Sequence, residues 1–507
     1  MQDKKRLSEQ KNETSMQSQQ LAAIAKNLVY PIIEEGCLAG VEEPGIQYRI
    51  FEDIVNGQFV HSTADRNTQN EGEIRFIDLF AGIGGIRLGL EQALSMMGYE
   101  SRCVFTSEIK KHAIRVLSQN HPNEPIYGDI TQIPTDHIPD FDILCGGFPC
   151  QAFSQAGNRD GFADTRGTMF FEVERIIKAK RPKAFILENV EGLVNHNGGD
   201  TLDVILNNLH ALDYDVTYKV LNARDFGVAQ DRRRVYFIGC RNDNKKSHAH
   251  LKFHEHAPQR ATLGEILERG LPTSDSDFVR LLLQKFGLDA LKGMSIKDKR
   301  GGSQNIHSWD LELKGSVSND QKKLLNALML ERRKKKWADI IGIEWMDGMP
   351  LTKSQIEQFY QHEKLQVMLD ELVEKGYLRY EYPKQRVVEK KVAPNGDLVQ
   401  TSRRVYDMSK PKGYNIVAGK LSFEVGKILN PDEVAPTLVA TDMQHLYVID
   451  GTGLRKLTLR EGLRLFGYTD TYKFDLSESD GFDLLGNTVV VPVIKYVAES
   501  LISQCRL

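Results

Sequence analysis

The sequence predicts an α/β protein built on a parallel β-sheet that is covered by helices. From Arg75 to Gly239, short apolar segments typical of strands alternate with segments in which apolar residues have helical spacing. The pairs are FIDLF and IRLGLEQAL, CVFTSEI and KHAIRVLSQ, DILCGG and GTMFFEVERIIKA, and AFILENV and TLDVILNNLHAL. This alternation favours right-handed crossovers between parallel strands. VTYKVLNA and VYFIGC follow with no helix between them, which predicts an antiparallel pair at the sheet edge.

The length of 507 residues is too great for one ordinary core and predicts two or three domains. The pattern of apolar and charged residues divides the sequence into a polar N-terminal extension, the α/β region, a more charged region and a segment in which the α/β pattern returns. In order, these are residues 1–72, 73–240, 241–435 and 436–507. The last of them ends in a turn and a long apolar helix, LLGNTVVVPVIKYVAESLI.

The composition, 41% hydrophobic and 27% charged, is that of a globular protein. No segment approaches the roughly 18 apolar residues that span a bilayer, so no membrane association is expected. Residues 1–20 are polar and lack the apolar core of a signal peptide, which predicts a cytoplasmic protein. The net charge of −3 shows no basic excess, so any nucleic-acid-binding surface has to be local.

A glycine-rich turn between a strand and a helix is the first motif that carries chemistry. It lies in FIDLFAGIGGIRLGL (76–90) and contains Gly82, Gly84 and Gly85. Glycine lets the backbone turn sharply and approach a nucleotide-like ligand. The next strand ends at Glu108, where an acidic side chain can accept hydrogen bonds from ribose hydroxyls, and a third ends at Asp129. A plain tight turn would give the same glycines, but the acidic residue favours a cofactor loop.

A cysteine follows the strand in DILCGGFPCQAFSQAG (142–157). Cys150 comes just after the carboxyl end of a buried strand, where α/β proteins bind ligands, and a thiolate there is a strong nucleophile. Free cysteines are more often small buried apolar residues, and Cys145, inside the apolar segment, fits that interpretation. The six cysteines (37, 103, 145, 150, 240, 505) contain no C-x-x-C pair and predict neither a zinc site nor a disulfide framework.

Two further motifs place charged residues at strand ends. In FILENVEGL (185–193), Glu188 and Asn189 end a strand, where a carboxyl group serves as a general acid or, equally, as a helix cap. In AQDRRRVYFIG (229–239), Arg232 and Arg234 alternate and so share one face of a strand. Two guanidinium groups on one face suit phosphate or carbonyl recognition, although a solvated edge strand is the simpler explanation.

Taken together and in order, these motifs resemble those of bacterial DNA (cytosine-5) methyltransferases of the restriction-modification type. The resemblance rests on FIDLFAGIGG, GFPCQAFS, ENV, QDRRR, LTLREGLRLFGYTD and GNTVVVPV, and covers residues 73–240 and 435–507. Members often have G-P-P-C-Q where this chain has Phe148 before Pro149-Cys150. The resemblance implies a Rossmann-like class I S-adenosylmethionine-dependent methyltransferase sheet with a smaller target-recognition domain.

The resemblance also implies roles for individual residues. Catalytic roles fall to Cys150, Glu188, Arg232 and Arg234. The S-adenosylmethionine site is formed by Phe80, Gly82, Gly84, Gly85, Glu108, Ile109, Asp129, Ile130, Pro149, Asn487, Thr488 and Val489. The flipped base and its strand are contacted by Gln151, Ser154, Asn189, Gln230 and Thr437. Cys150 adds to C6 of cytosine, Glu188 assists at N3, the base leaves the duplex, and no metal is required.

The implied partner is double-stranded DNA, read by a target-recognition domain over 241–435, with a cognate restriction endonuclease acting on the same site and the enzyme itself a monomer. Within that domain, 351–383 has the pattern of two helices and then a short hairpin, compatible with a winged helix but also with a plain helical insert. The basic cluster 332–336 either contacts phosphates or forms a solvated helix face.

Three alternatives are weaker. A branch of the same family methylates transfer RNA, but it has a short middle region where this chain has a long one. A nicotinamide-dependent oxidoreductase would explain the glycine-rich turn and Glu108 but not Cys150 and Glu188. A non-catalytic DNA-binding homologue is disfavoured because Cys150 and Glu188 are both present.

Overall fold

A computed structural model describes residues 72–149, 169–243, 251–298, 302–392, 398–417, 423–505 and 507. The predicted N-terminal extension therefore lies outside the described residues, except for Gly72. The chain forms two compact units. The first unit contains the described residues up to Leu267, together with 432–444 and 458–507, and the second contains 268–431 and 445–457.

The first unit is an α/β structure around one large sheet. Its strands are β1 (Glu73–Leu79), β2 (Glu100–Ser107), β3 (Ile126–Tyr127), β4 (Ile143–Gly147), β5 (Ala184–Val190), β6 (Tyr214–Asn222) and β7 (Arg233–Arg241). The spatial order of the described strands is β3-β2-β1-β4-β5-β7-β6. Strands β1 to β5 run parallel, and β7 is antiparallel to both β5 and β6. The predicted fold class and the antiparallel edge pair are confirmed.

Helices connect and cover these strands. They are α1 (Gly85–Met96), α2 (Lys111–Asn120), α3 (Met169–Lys180) and α4 (Asp200–Ala211). A core formed by one face of the sheet and its helices is fully buried, for example at Ile77, Phe185 and Phe237. Apolar burial of this kind is the main force that holds helix to sheet.

The second unit combines a small sheet with a helical part. Its first helices are α5 (Asp277–Phe286), α6 (Leu288–Leu291), α7 (Asn319–Glu331), α8 (Lys335–Ile341), α9 (Lys353–Ile356) and α10 (Leu365–Glu374). Its strands are β8 (Ser295–Ile296), β9 (Asn305–Ile306), β10 (Leu378–Glu381), β11 (Lys384–Val392), β12 (Leu398–Tyr406), β13 (Gly413–Ile416), β14 (Lys427–Ile428), β15 (Leu446–Asp450) and β16 (Gly453–Lys456). The described strands of the small sheet have the order β16-β15-β14-β8-β9.

The region from α7 to β13 has the element order of a winged helix. Leu351 bridges Tyr414 of β13, and β13 pairs with β10 on its other side. Helices α9 and α10 lie between Leu351 and β10 in the chain, and β11 and β12 form a hairpin between β10 and β13. The short hairpin expected inside 351–383 is not formed there: β10 pairs with β13, some thirty residues later, because Pro383 ends β10 and a longer hairpin follows.

The chain then returns to the first unit in three helices, α11 (Leu459–Arg464), α12 (Glu478–Asn487) and α13 (Val491–Ile502). The strand-like HLYVID differs from expectation, since it forms β15 of the second unit although its sequence pattern predicted that it would belong with 436–507. A short apolar strand has the same pattern in either sheet, so its partner β14 decides its place.

The predicted apolar helix near the C-terminus packs inside the first unit. A Cβ on Gly89 of α1 would lie 2.6 Å from the Cβ of Ile494 of α13, so the two helices are in close contact. Within the described residues, the stretch Glu478–Ile502 is long and apolar enough to cross a membrane by length and composition, but 72% of its most apolar part is buried. The same helix end carries Cys505, which forms a disulfide with Cys240 (Cα–Cα 5.8 Å) that the sequence did not predict.

Candidate active site at the rim of the parallel sheet

The carboxyl ends of the central strands bring most of the predicted site residues to one edge of the sheet. In the pairing of β1 with its neighbours, Leu79 lies opposite Ser107 of β2 and Gly146 of β4. Gly147 at the end of β4 in turn lies opposite Glu188 of β5. The turns that follow these strands therefore share one rim, which is where α/β proteins bind ligands.

The glycine-rich turn has a left-handed backbone that requires its glycines. Gly82 and Gly84 have φ values of 56° and 75°, and Phe80, whose ring packs against the core, has a φ of 56°. A Cβ on Gly82 would meet no atom of the described residues within 4 Å, so there is open space at this point of the turn. The backbone can thus approach a ligand closely here.

The carboxylate of Glu108 is fixed against this turn. Its Oε2 accepts a hydrogen bond from the Gly82 amide (2.7 Å), and its Oε1 accepts from the amides of Ile109 (2.7 Å) and Lys110 (2.8 Å). A carboxylate has about four acceptor positions, so room is left for a hydroxyl group. The three bonds hold the side chain in one orientation beside the open space at Gly82.

Asp78 is the second-last residue of β1, just before the turn, and no sequence motif pointed to it. Its carboxyl group is wholly buried, and neither oxygen has a hydrogen-bond partner among the described residues. Burial, opposed by the charge of Arg87, raises the pKa of Asp78 to about 8. A buried carboxyl group without a partner is costly, so this position suits a cationic or hydrogen-bond-donating ligand group.

The C-terminal segment packs directly against the glycine-rich turn. A Cβ on Gly85 would lie 2.6 Å from Tyr468 Oη and 2.7 Å from Val489 Cγ2. Tyr468 Oη is 2.9 Å from Thr488 Oγ1, and Tyr472 donates its hydroxyl hydrogen to the carbonyl of Ile83 (2.5 Å). The structure thus brings Thr488 and Val489 to the glycine-rich turn.

The remaining predicted cofactor residues occupy the rim or its margin. Asp129 caps the short turn after β3 by accepting from the Thr131 amide (3.0 Å), and Ile130 is buried behind it. Ile109 is exposed, and the side-chain amide of Asn487 donates to Asp483 O (2.8 Å), within α12.

Glu188 and Arg234 form a largely buried ion pair near the end of β5. Glu188 Oε1 is 3.2 Å from Arg234 Nε, and Glu188 Oε2 would lie 3.4 Å from a Cβ on Gly147. A larger residue at Gly147 would therefore crowd the carboxyl group. Burial raises the pKa of Glu188, and the charges of Arg234 and Arg232 oppose that rise.

The loop after β4 is held from below by Asn189. Its side-chain amide donates to the carbonyl oxygen of Phe148 (2.8 Å), one residue before Pro149. The predicted nucleophile Cys150 and its neighbours Gln151 and Ser154 lie outside the described residues. Cys145 is fully buried in β4, which confirms the prediction that it is a packing residue.

Gln230 and Arg232 are buried, and their polar groups bind the protein itself. The Gln230 amide donates to Leu465 O (2.9 Å). The Arg232 guanidinium donates to the carbonyls of Leu438 (3.0 Å) and Thr488 (2.8 Å). Nearby, Thr437 donates its hydroxyl hydrogen to Asp231 O (2.6 Å). These contacts fasten the C-terminal segments to the edge of the sheet.

The comparisons with known proteins show the family of the chain. Residues 74–503 match the model of the family described as C-5 cytosine-specific DNA methylase. The chain belongs to this family. It is 58% identical to the Type II methyltransferase M.NlaIV of Neisseria lactamica, over 85% of this chain and 99% of that protein. The Type II methyltransferase M.NgoBV of Neisseria gonorrhoeae is 57% identical over the same shares.

Among solved structures, a putative DNA modification methyltransferase encoded within an E. coli prophage aligns over 85% of this chain and 99% of that chain. Its identity is 21% and its TM-score is 0.46. With the family and the two Neisseria relatives, the predicted membership is confirmed: the protein is a DNA cytosine-5 methyltransferase of the bacterial restriction-modification type.

Proposed function

We propose that this methyltransferase uses S-adenosylmethionine to methylate C5 of a flipped-out cytosine within one specific sequence of double-stranded DNA. The observation that carries the proposal is the buried Glu188–Arg234 pair, which lies beside Gly147, three residues before Cys150. It puts a carboxyl group with a raised pKa on β5, directly opposite Gly147 at the end of β4, the strand that precedes Pro149-Cys150 in the chain. A nucleophile and a proton donor are what attack on a pyrimidine ring needs.

The chemistry follows from these two groups. Cys150, as a thiolate, adds to C6 of cytosine, and the electron pair of the C5–C6 bond makes C5 electron-rich. Glu188 in its protonated form donates a hydrogen bond to N3 and so stabilises the charge that develops on the ring. Once the methyl group is in place, the C5 proton is removed and the Cys150 thiolate leaves from C6. Because C6 is shielded inside the duplex, the base has to be flipped out, at a cost of a few kcal/mol.

The rim fits S-adenosylmethionine, which supplies an electrophilic methyl group on a sulfonium sulfur when bound. Glu108 is oriented to accept a ribose hydroxyl beside the open space at Gly82. The unpartnered carboxyl group of Asp78 suits a donor such as an amino group, directly or through water. Thr488 and Val489 close the turn side of the pocket, and Asp129 with Ile130 lies toward the adenine.

The contacts with DNA are assigned as follows. Arg234 orients Glu188, whereas Gln230 and Arg232 act as positioning residues because their polar groups already bind backbone carbonyls. Asn189 and Thr437 belong to the base-binding side of the rim, and Gln151 and Ser154 are assigned to base binding by the family resemblance alone. The second unit reads the target sequence. We further propose a monomer that works in the cytoplasm beside a restriction endonuclease of the same specificity.

The test is bisulfite sequencing of DNA from a methylation-free bacterial host that expresses the chain. Protected cytosines within one recurring short sequence are expected, and Cys150→Ala abolishes the protection. Cys145→Ala, which removes a buried thiol five residues earlier, serves as the matched control and retains it. Purified protein should form a covalent adduct with 5-fluorocytosine in that sequence, because C5 then carries fluorine in place of the proton that has to be removed before the thiolate can leave. Protection by the Cys150→Ala protein, or its complete absence with the intact protein, would overturn the proposal.

A further inference from the structure

The hairpin of β11 and β12 in the second unit stands apart from the other described strands in pairing and in charge. Among the described strands, the two pair only with each other, over nine residues each. At about 3.3 Å per residue, each arm is roughly 30 Å long. The segment 384–406 contains six lysines and arginines and two acidic residues, in a chain whose net charge is −3.

Three of the four described cations of the hairpin, Lys384, Arg386 and Arg404, lie on one face, and Arg403, opposite Val387, lies on the other. In the antiparallel pairing, Arg386 lies directly opposite Arg404, and Lys384 lies opposite Tyr406. Residues opposite each other, and residues two apart, project from the same face of a strand pair. Two like charges in direct opposition destabilise a hairpin, so this face suits an anionic partner that neutralises both.

The local contacts of these cations are weak enough to be exchanged. The pair between Arg386 Nη1 and Glu344 Oε1 spans 3.7 Å, with both side chains half-exposed. Arg404 donates to the carbonyl of Trp345 at 3.4 Å. Surface pairs of this kind contribute little to stability, so a phosphate can take their place.

Helix α10, which occupies the position of a recognition helix, has the opposite charge. Its sequence LQVMLDELVE contains no lysine or arginine, and Asp370, Glu371 and Glu374 are all exposed. In helix-turn-helix proteins the second helix enters the major groove between two rows of phosphates. An acidic face is repelled there, so α10 is unsuited to that role in this protein.

We propose that the β11–β12 hairpin, through Lys384, Arg386 and Arg404, is a sequence-independent contact of the second unit with the phosphates of duplex DNA. The inference rests on DNA being the substrate of the enzyme. A two-stranded ribbon fits the major groove, and a length of roughly 30 Å follows about one turn of the duplex. The hairpin thus contributes affinity and salt dependence, while α10 stays outside the groove.

The experiment compares two triple variants of the full chain that remove the same charge. The hairpin variant is Lys384→Gln, Arg386→Gln and Arg404→Gln, and the helix variant is Lys323→Gln, Lys353→Gln and Lys364→Gln. The control positions belong to α7, α9 and the residue before α10. All six side chains are at least partly exposed, and equal melting temperatures establish that the folds are retained. Binding of a random-sequence duplex of about 40 base pairs is followed by anisotropy as salt is raised.

The hairpin variant should bind at least about 10-fold more weakly near physiological salt, and its log–log salt slope should be smaller by roughly two to three. The helix variant should match the parent. Methyl transfer by the hairpin variant at low salt and saturating DNA should stay within about threefold. Parent-like binding by the hairpin variant, an equal loss in the helix variant, or tighter binding of the parent to an RNA duplex of the same length overturns the inference. Failure of the parent to methylate DNA would instead contradict the proposed function. The comparison of DNA binding between the two variants would still decide the inference about the hairpin.

Discussion

Two basic clusters of similar composition, Arg232–Arg234 in the first unit and Arg332–Lys336 in the second, begin in the same way. Each starts with an arginine that is only 3% exposed. Arg232 binds the carbonyls of Leu438 and Thr488, and Arg332 binds Asn415 Oδ1 (2.7 Å). Burial lowers the pKa of both guanidinium groups to about 10. In each cluster the first cation fastens distant parts of its own unit.

The clusters differ in what the following cations face. Arg234 lies at the Glu188 carboxyl group on the rim of the sheet. In the second cluster, Arg333 pairs with Asp347 (2.6 Å), and Lys334 and Lys336 both pair with Glu331. Three of the five cations of RRKKK therefore face carboxyl groups within their own unit. A cluster of cations in a sequence thus marks a functional site only where one of the cations faces a catalytic or binding group. The predictions below test this difference between the two clusters.

The largest effect is expected where the first cluster meets the site. Glu188→Gln should lower kcat by about 10²- to 10⁴-fold, because the proton donor at N3 is lost. Glu191→Gln is the matched control, since Glu191 pairs with Arg233 on the exposed side of the same rim (2.8 Å). Initial rates with labelled S-adenosylmethionine would measure both. Similar rates for the two variants would contradict the catalytic role of Glu188.

The two buried arginines should differ in function rather than in stability. Arg232→Met and Arg332→Met should each cost about 2–4 kcal/mol of unfolding free energy, because buried acceptors lose charged donors. Only Arg232→Met should also weaken S-adenosylmethionine binding, since Arg232 holds Thr488 beside the glycine-rich turn. Denaturant titration and calorimetry of cofactor binding separate the two effects. Equal losses of cofactor affinity would mean that both arginines act only through global stability.

A smaller effect concerns pH. Burial raises the pKa of Glu188 and the positive charge of Arg234 opposes the rise, so Arg234→Gln should raise that pKa further. Glu188 then keeps its proton to higher pH, and the alkaline limb of kcat should move to higher pH. Arg233→Gln, at the exposed neighbouring position, should leave the limb in place. A limb that is unchanged or moves to lower pH in Arg234→Gln would exclude coupling between the two groups.

The smallest effect is expected in the second cluster. Lys334→Gln with Lys336→Gln should change duplex affinity by less than about twofold, because both lysines already pair with Glu331 and such surface pairs contribute at most about 1 kcal/mol. Anisotropy titration against the parent measures this. A loss of duplex affinity as large as that of the β11–β12 hairpin variant would indicate that this cluster is part of the DNA-binding surface.

Much of the first unit was predictable because its signals are local. Strand patterns gave the parallel sheet, and strand ends located Glu108 and Glu188 at one rim. Asp78, Gly147 and Tyr468 were missed, since an aspartate inside an apolar strand, one more glycine and a late tyrosine carry no local signature. Their importance comes from what packs against them.

The sequence by itself determined which segments become strands and helices, where the turns are, and which chemical groups end the strands, because periodicity and turn chemistry act over a few residues. Tertiary structure decided the rest. It placed β15 beside β14, joined Cys240 to Cys505, brought Thr488 to Gly85, and buried the first arginine of each basic cluster. These outcomes depend on contacts between residues far apart in the chain, and burial and partner charge, which fix the role of an ionisable side chain, arise only from such contacts.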